Sequence, residues 1–215
     1  MSRELVIFGA GGLAREIAWL AGECAADNWT IAGFVEKDRA AQIGKMLGGY
    51  PIMDLAAIKS HHPGALAVAA VGSPAIRENI VADAIAAGFG FATLIHPGIA
   101  RSRSVVVGEG TLILPGSTLT VDIRLGRHVQ INPGCTLAHD ARVGDFSTLS
   151  PGVRVSGFVH IGNRVAIGTG AVIVNGTAER PLTIGDGAVI GAGSVVLKDV
   201  PPGVKIGRAS CRERV

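Results

Sequence analysis

From Ile95 to Val196 an aliphatic residue returns at every sixth position, and few folds admit that period. The series is Ile95, Val107, Ile113, Leu119, Leu125, Ile131, Leu137, Val143, Leu149, Val155, Ile161, Ile167 and Ile173, resuming at Ile184, Ile190 and Val196. Arg101 is the one exception in seventeen hexads. A helix would repeat its apolar residues at three- and four-residue spacing, and an ordinary strand at every second position. A six-residue repeat marks a parallel β-helix, in which each hexad forms one short face and three hexads close a triangular coil. Seventeen hexads make about six coils. Gly follows the aliphatic residue at Gly108, Gly126, Gly144, Gly162, Gly168, Gly185 and Gly191 and is expected to permit the corner turns. The fourth position after it is small or β-branched, as at Thr111, Ser117, Val129, Cys135, Ala141, Ser147 and Ala171. The period accounts for a chain with 31 Gly and only 4% aromatic residues. One break occurs: Ile173 to Ile184 spans eleven residues, so five residues within 174–183 must leave the stack as a loop. Such a loop either borders a binding surface or is an inert bulge.

Before the repeats the pattern is different. Residues 4–8 form a compact apolar strand that stops at Gly9-Ala10-Gly11-Gly12, and Leu13, Ile17, Leu20, Ala21 and Cys24 then recur at helical spacing. Further strands are expected over 30–35 and 65–71. Pro74 opens a helix with Ile76, Ile80, Val81 and Ile85 on one face, closed by Gly88. The alternation predicts a small parallel sheet flanked by helices, an α/β Rossmann-like half-domain over 1–94. Its glycine turn, Gly9-Ala10-Gly11-Gly12-Leu13-Ala14, matches G-x-G-x-x-A between strand and helix, and Glu36 ends the next strand. That is the outline of a dinucleotide fingerprint, in which backbone N–H groups at a helix start receive phosphate. The domain is only one mononucleotide-binding half, short of room for a whole NAD. A structural turn without a ligand is the other reading.

Charge excludes some partners. The net charge of +3 comes mostly from the last residues, which carry Arg208, Arg212, Glu213 and Arg214. No nucleic-acid signature remains. Residues 206–215 read IGRASCRERV, resemble translated sequencing-adapter sequence, and are expected to be an artefact; a genuine basic tail is the alternative. No apolar run approaches the roughly 20 residues that span a bilayer, and no signal peptide is read at the start. Neither a membrane nor a nucleic acid is an expected partner. Cys24, Cys135 and Cys211 are widely spaced and fit reduced thiols in the cytoplasm.

Four segments carry a family resemblance: Ile7-Phe8-Gly9-Ala10-Gly11-Gly12, Ile95-His96-Pro97, His139-Asp140 followed by Val143-Gly144-Asp145-Phe146, and Ile190-Gly191-Ala192-Gly193-Ser194-Val195-Val196 with Lys198-Asp199-Val200-Pro201. With these the chain resembles, over residues 5 to 205, the hexapeptide-repeat sugar acetyltransferases, the sialic-acid O-acetyltransferases and nucleotide-aminosugar N-acetyltransferases. The resemblance implies a left-handed β-helix over 95–205, a homotrimer with active sites at the clefts between subunits, and acetyl-CoA as co-substrate. It also implies a nucleotide-linked or acidic sugar as acceptor, in surface-glycan synthesis in the cytoplasm.

Acetyl transfer from a thioester needs a base near neutral pKa, which imidazole supplies. His139 stands two residues after Leu137, near a corner, and Asp140 beside it can accept its other ring N–H. On spacing alone an ordinary exposed His beside an exposed Asp is the favoured reading, and the resemblance reverses this toward the catalytic pair. By resemblance the Gly157 N–H donates to the acetyl carbonyl, main-chain groups around Thr169, Gly191 and Ala192 run along the pantetheine, and Asn132 lies near the acceptor sugar. The resemblance also turns Gly9, Ala10, Gly11 and Gly12 toward the diphosphate of a nucleotide-sugar, with Glu36 near its base or ribose. The chain departs from some relatives at Leu13 and Thr148, where those carry His. These departures and the 174–183 loop motivate a second reading, a non-catalytic nucleotide-sugar-binding or assembly scaffold. A third is zinc-dependent hydration of the carbonic-anhydrase-like kind. His128 and His160 occupy other hexad positions than His139, so a shared zinc site would have to form across subunits; the reading is disfavoured because that branch lacks this N-terminal domain, and no metal is expected. His61 and His62, before Pro63, are expected in a solvated loop.

Overall fold

A computed structural model of the chain describes residues 3–37 and 40–207. It divides into two units, Met1–Pro97 and Gly98–Val215. In the first, strands β1 (Arg3–Phe8), β2 (Trp29–Val35), β3 (Met46–Leu47), β4 (Tyr50–Met53) and β5 (Leu66–Ala69) form one sheet in the order β3-β4-β2-β1-β5. Helix α1 (Gly12–Glu23) connects β1 to β2, α2 (Leu55–His61) connects β4 to β5, and α3 (Pro74–Ala86) follows β5. β1 is the centre. Its Leu5, Val6 and Ile7 are fully buried, as a strand covered on both faces requires. β2 and β5 pair with it in parallel on opposite sides, so the strand order reverses beside β1.

Three local features differ from the sequence reading. α2 occupies the stretch expected as a loop: Asp54 caps it by accepting the Ala57 N–H at 2.7 Å, and Lys59 and His61 lie in its last turn. His61 thus ends a helix, and His62 Nδ1 sits 3.0 Å from Glu4 Oε1. Gly48 and Gly49, both at positive φ, close a hairpin between β3 and β4. The inward residues of α3 are Arg77, Val81 and Ala84, while Ile76 and Ile85 are at least half exposed.

The second unit is a stack of two- and three-residue parallel strands on three faces, in the left-handed sense. Before the inserted loop residues eighteen apart pair, Leu119 with Leu137, Leu125 with Val143, Ile131 with Leu149; across it the partners are 23 apart, as Ala166 with Val189, and in the last coil 16, as Ile190 with Ile206. From Ile113 to Val196 the aliphatic positions of the hexads are at most 4% exposed. Side chains of i and i−2 share a side of a strand, so Val129, Cys135, Ala141, Ser147, Val153, Val165 and Ala171 form a second buried column. Polar members of that column bond between coils. Ser147 Oγ donates to Gly162 O at 2.7 Å and accepts the Val165 N–H at 3.0 Å. Burial raises the Cys135 thiol to about 11 and leaves it inert.

The corner glycines prove to have another role than expected. Left-handed backbone falls three residues after the aliphatic position, at Gly116, Gly134 and Gly152 but also at Asp122, His128, Asp140, Phe146, Phe158 and Arg164. The glycines that directly follow the aliphatic residue answer to close approach instead. A Cβ on Gly144 would lie 2.6 Å from Asn163 Oδ1 and from the Gly162 carbonyl carbon. Asn163 occupies that space because its Oδ1 accepts the Asp145 N–H at 2.8 Å, and Asp186 repeats the arrangement on the Asn163 N–H. The expected loop leaves the stack between the strands Val172–Ile173 and Leu182–Ile184. It is anchored by Gly176 N to Gly157 O and Leu182 N to Phe158 O, each 3.0 Å. Ile206, first residue of the adapter-like segment, pairs with Ile190, and residues 208–215, with Cys211, lie outside the described residues.

The Asn163 donors hold the Asp186 carboxyl below the usual carboxylate range. Its folded value being the lower one, the contribution to stability is present above the unfolded value of about 3.9 and lost as pH falls through the folded value. In thermal melts between pH 7 and 3, Asp186→Asn is expected to lose less of its midpoint than the wild type. Equal losses in both would refute the linkage.

Candidate functional site

His139 lies where the face carrying Leu137 turns into the face carrying Val143. Asp140 takes the left-handed corner position at φ 59°, which Asp tolerates better than most residues. Its Oδ2 is 3.0 Å from His139 Nδ1, with side chains 42% and 51% exposed. With Nδ1–H donated to Asp140, Nε2 carries the lone pair, the form in which imidazole accepts a proton. The Phe158 ring stands edge-on to the imidazole, 82° and 5.1 Å away. Beneath the ring lies Gly157, one coil on: a Cβ there would come within 2.5 Å of His139 Cε1 and Nε2. Gly157 is buried. The flanking Ser156 and Phe158 N–H groups bond to Ile173 O and His139 O, while that of Gly157 meets no acceptor among the described residues. The corner therefore combines an oriented imidazole with a donor-bearing glycine, and the 174–183 loop departs from the same corner.

The other residues expected in the β-helix site stand elsewhere on it. Asn132, Thr169, Gly191 and Ala192 follow Ile131, Ile167 and Ile190, at the corner where the third face ends. Asn132 is 7% exposed and its Nδ2 donates to Leu149 O at 2.9 Å. Thr169 O accepts the Gly193 N–H at 2.8 Å, and a Cβ on Gly168 would lie 2.5 Å from Ala192 N, so these backbones are in close contact. Within one chain His139, Asp140 and Gly157 come together, and Asn132, Thr169, Gly191 and Ala192 gather at a different corner.

In the first unit a cavity of about 620 Å³ opens at the carboxyl ends of β1, β2 and β5, the place where the strand order reverses. Gly9, Ala10, Gly11, Gly12 and Glu36 all line it. Gly9 requires its lack of a side chain: φ is 111°, and a Cβ would lie 3.1 Å from Ala70 O. Gly11 is the N-cap of α1, without a side-chain cap or an acidic residue in the first turn. Its end thus offers backbone N–H groups to an anion. Glu36 Oε1 accepts the Lys37 N–H at 3.0 Å. The sequence reading missed the opposite wall, where Asn79 and Asp83 of α3 line the cavity and Lys37 Nζ reaches Asp83 at 2.8 Å. Pro74 marks the start of α3, but a charged residue facing a cavity reads in sequence like one facing solvent. Among the described residues no three His, Cys, Asp or Glu could hold a metal, and no helix is long and apolar enough to cross a membrane.

Comparisons with known proteins agree with both units. Residues 4–84 match the family model of the PglD N-terminal domain. WeeI from Acinetobacter baumannii AYE is 31% identical, with a TM-score of 0.87 over 95% of this chain and 96% of that one. The acetyltransferase domain of PglB from Neisseria gonorrhoeae FA1090, solved in complex with acetyl coenzyme A, is 31% identical, with a TM-score of 0.84 over 96% and 97%. PerB from Caulobacter crescentus, in complex with CoA and GDP-perosamine, is 30% identical, with a TM-score of 0.83 over 95% and 93%. Among curated proteins, galactoside O-acetyltransferase of Escherichia coli K12 is 50% identical over 54 residues, 25% of this chain. That match spans only 24% of the curated protein.

The contact between Gly157 and the His139 ring makes a specific prediction. Gly157→Ala should leave the thermal midpoint within a few degrees, about 1 kcal/mol or less, because a half-exposed ring can swing aside. The ring should nevertheless leave Asp140, seen as a change in the His139 imidazole signals by NMR. Unchanged signals would contradict the stacking.

Proposed function

The chain belongs to the hexapeptide-repeat family of sugar acetyltransferases, and from that membership we propose that it transfers acetyl from acetyl-CoA to an amino or hydroxyl group of a nucleotide-linked sugar in surface-glycan synthesis. The observation that carries the reading is the His139 imidazole, bonded through Nδ1 to Asp140 and seated on the buried Gly157. His139 Nε2 takes the proton of the acceptor as its nitrogen or oxygen attacks the thioester carbonyl. The Gly157 N–H, without an acceptor among the described residues, donates to the oxygen that becomes negative. Asp140 fixes the tautomer and stabilises the imidazolium, which returns the proton as the thiolate of CoA departs.

The PglB domain and PerB are solved with acetyl-CoA and with CoA and GDP-perosamine, which supports the same pair of substrates here. In this reading the first unit's cavity receives the acceptor's nucleotide, its diphosphate at the Gly9–Gly12 turn and its base or ribose near Glu36. Thr169, Gly191 and Ala192 run along the pantetheine, and Asn132 lies near the sugar. Because these four stand at a different corner from His139, a neighbouring copy supplies them, in a homotrimer whose active sites lie between subunits. The proposed location is the cytoplasm, where acetyl-CoA and nucleotide-sugars are made.

Thiol release from acetyl-CoA, measured across UDP- and GDP-linked amino sugars and sialic acid, tests the assignment. His139→Ala is expected to lower kcat by roughly 10²–10⁴-fold, the usual worth of a general base. Activity retained in His139→Ala would remove the base from this corner.

A further inference from the structure

Arg77 is among the largest fully buried side chains of the described residues, 1% exposed. It stands early in α3, and its Nη1 donates to Val71 O at 2.8 Å and to Gly72 O at 3.3 Å. Val71 and Gly72 line the cavity of the first unit, whereas Arg77 does not. The two carbonyls are thus engaged by a guanidinium behind the cavity wall. The same turn abuts the glycine turn across the sheet: a Cβ on Gly9 would lie 3.1 Å from Ala70 O and 3.2 Å from Val71 Cγ2.

A buried cation is a costly way to hold a turn, and well-packed apolar residues often serve structure as well or better. Burial pushes the Arg77 guanidinium down to about 9, still charged near neutral pH. A charge inside a protein is weakly screened and acts on groups in an adjoining cavity. An anion in that cavity would offset part of the burial penalty, and the outlay on Arg77 would then favour binding.

We propose that Arg77 is a positioning residue for a nucleoside diphosphate in this cavity. It keeps the Val71 and Gly72 carbonyls engaged by its guanidinium and places a positive charge behind the wall that adjoins the Gly9–Gly12 turn. The proposal rests on the acceptor-nucleotide reading above and adds to it a buried charge that strengthens the preference for phosphate offered by the α1 N-terminus.

Calorimetry of the full chain tests it with UDP against uridine and GDP against guanosine, so that each pair isolates the diphosphate. The wild type is expected to prefer one diphosphate to its nucleoside. Arg77→Gln, neutral but able to donate, should lower that preference about tenfold, while Arg77→Lys, still charged, should keep it within about threefold. The KM for acetyl-CoA should stay unchanged in both, and a lower thermal midpoint with an unaltered preference would make Arg77 merely structural and overturn the inference. Where Arg77→Gln does not fold, Arg77→Lys decides: a kept preference supports the role, and a lost preference with nucleoside still bound overturns it. A wild type that prefers neither diphosphate removes the acceptor-nucleotide reading, and this inference with it.

Discussion

The backbone register between successive coils is the constraint on which the β-helix depends. Each short strand bonds to the strands one coil before and after it, eighteen residues away except across the inserted loop and in the last coil, and a slip of one residue would turn both buried columns outward. Held in that register, residues of neighbouring coils touch. Asn163 therefore fills the space that Gly144 leaves empty, and Gly157 lies under the His139 ring. The candidate catalytic corner is a local consequence of the stack: the coil that supplies the base rests on the coil that supplies the glycine.

Where a periodic signal was strong the sequence was legible. The hexads located the coils, the inserted loop and the corner with His139 and Asp140, and the run before Gly9 located β1 and the turn that lines the cavity. What escaped had no single residue type or no length. The left-handed corner position is filled by Gly, Asp, His, Phe or Arg, so composition pointed instead to the glycines two places earlier. α2 is seven residues long and shows no helical period, although Asp54 and Lys59 were legible as end signals. On α3 the apolar pattern of Ile76, Ile80, Val81 and Ile85 suggested the buried face. The structure turns Arg77 inward and leaves Ile76 and Ile80 on the cavity wall, because tertiary surroundings, which a single sequence does not display, decide which face of a helix is dry.

The two units contribute different chemistry. The first offers an uncapped helix end beside a cavity at the reversal of strand order, an arrangement suited to phosphate. The second offers one corner with the proposed base and a backbone N–H that meets no acceptor among the described residues, and another corner where backbones pack without side chains at Gly168 and Gly191. That separation gives the homotrimer its place in the proposal, since one copy holds the base and another holds the residues for pantetheine.

The central claim is that an acceptor sugar gains an acetyl group from acetyl-CoA. Mass spectrometry of UDP- and GDP-linked amino sugars incubated with the full chain and acetyl-CoA tests it most directly. The account predicts that at least one of them gains the mass of a single acetyl group, and only when acetyl-CoA is present. An unchanged mass for every acceptor, with acetyl-CoA bound by the protein, would contradict it.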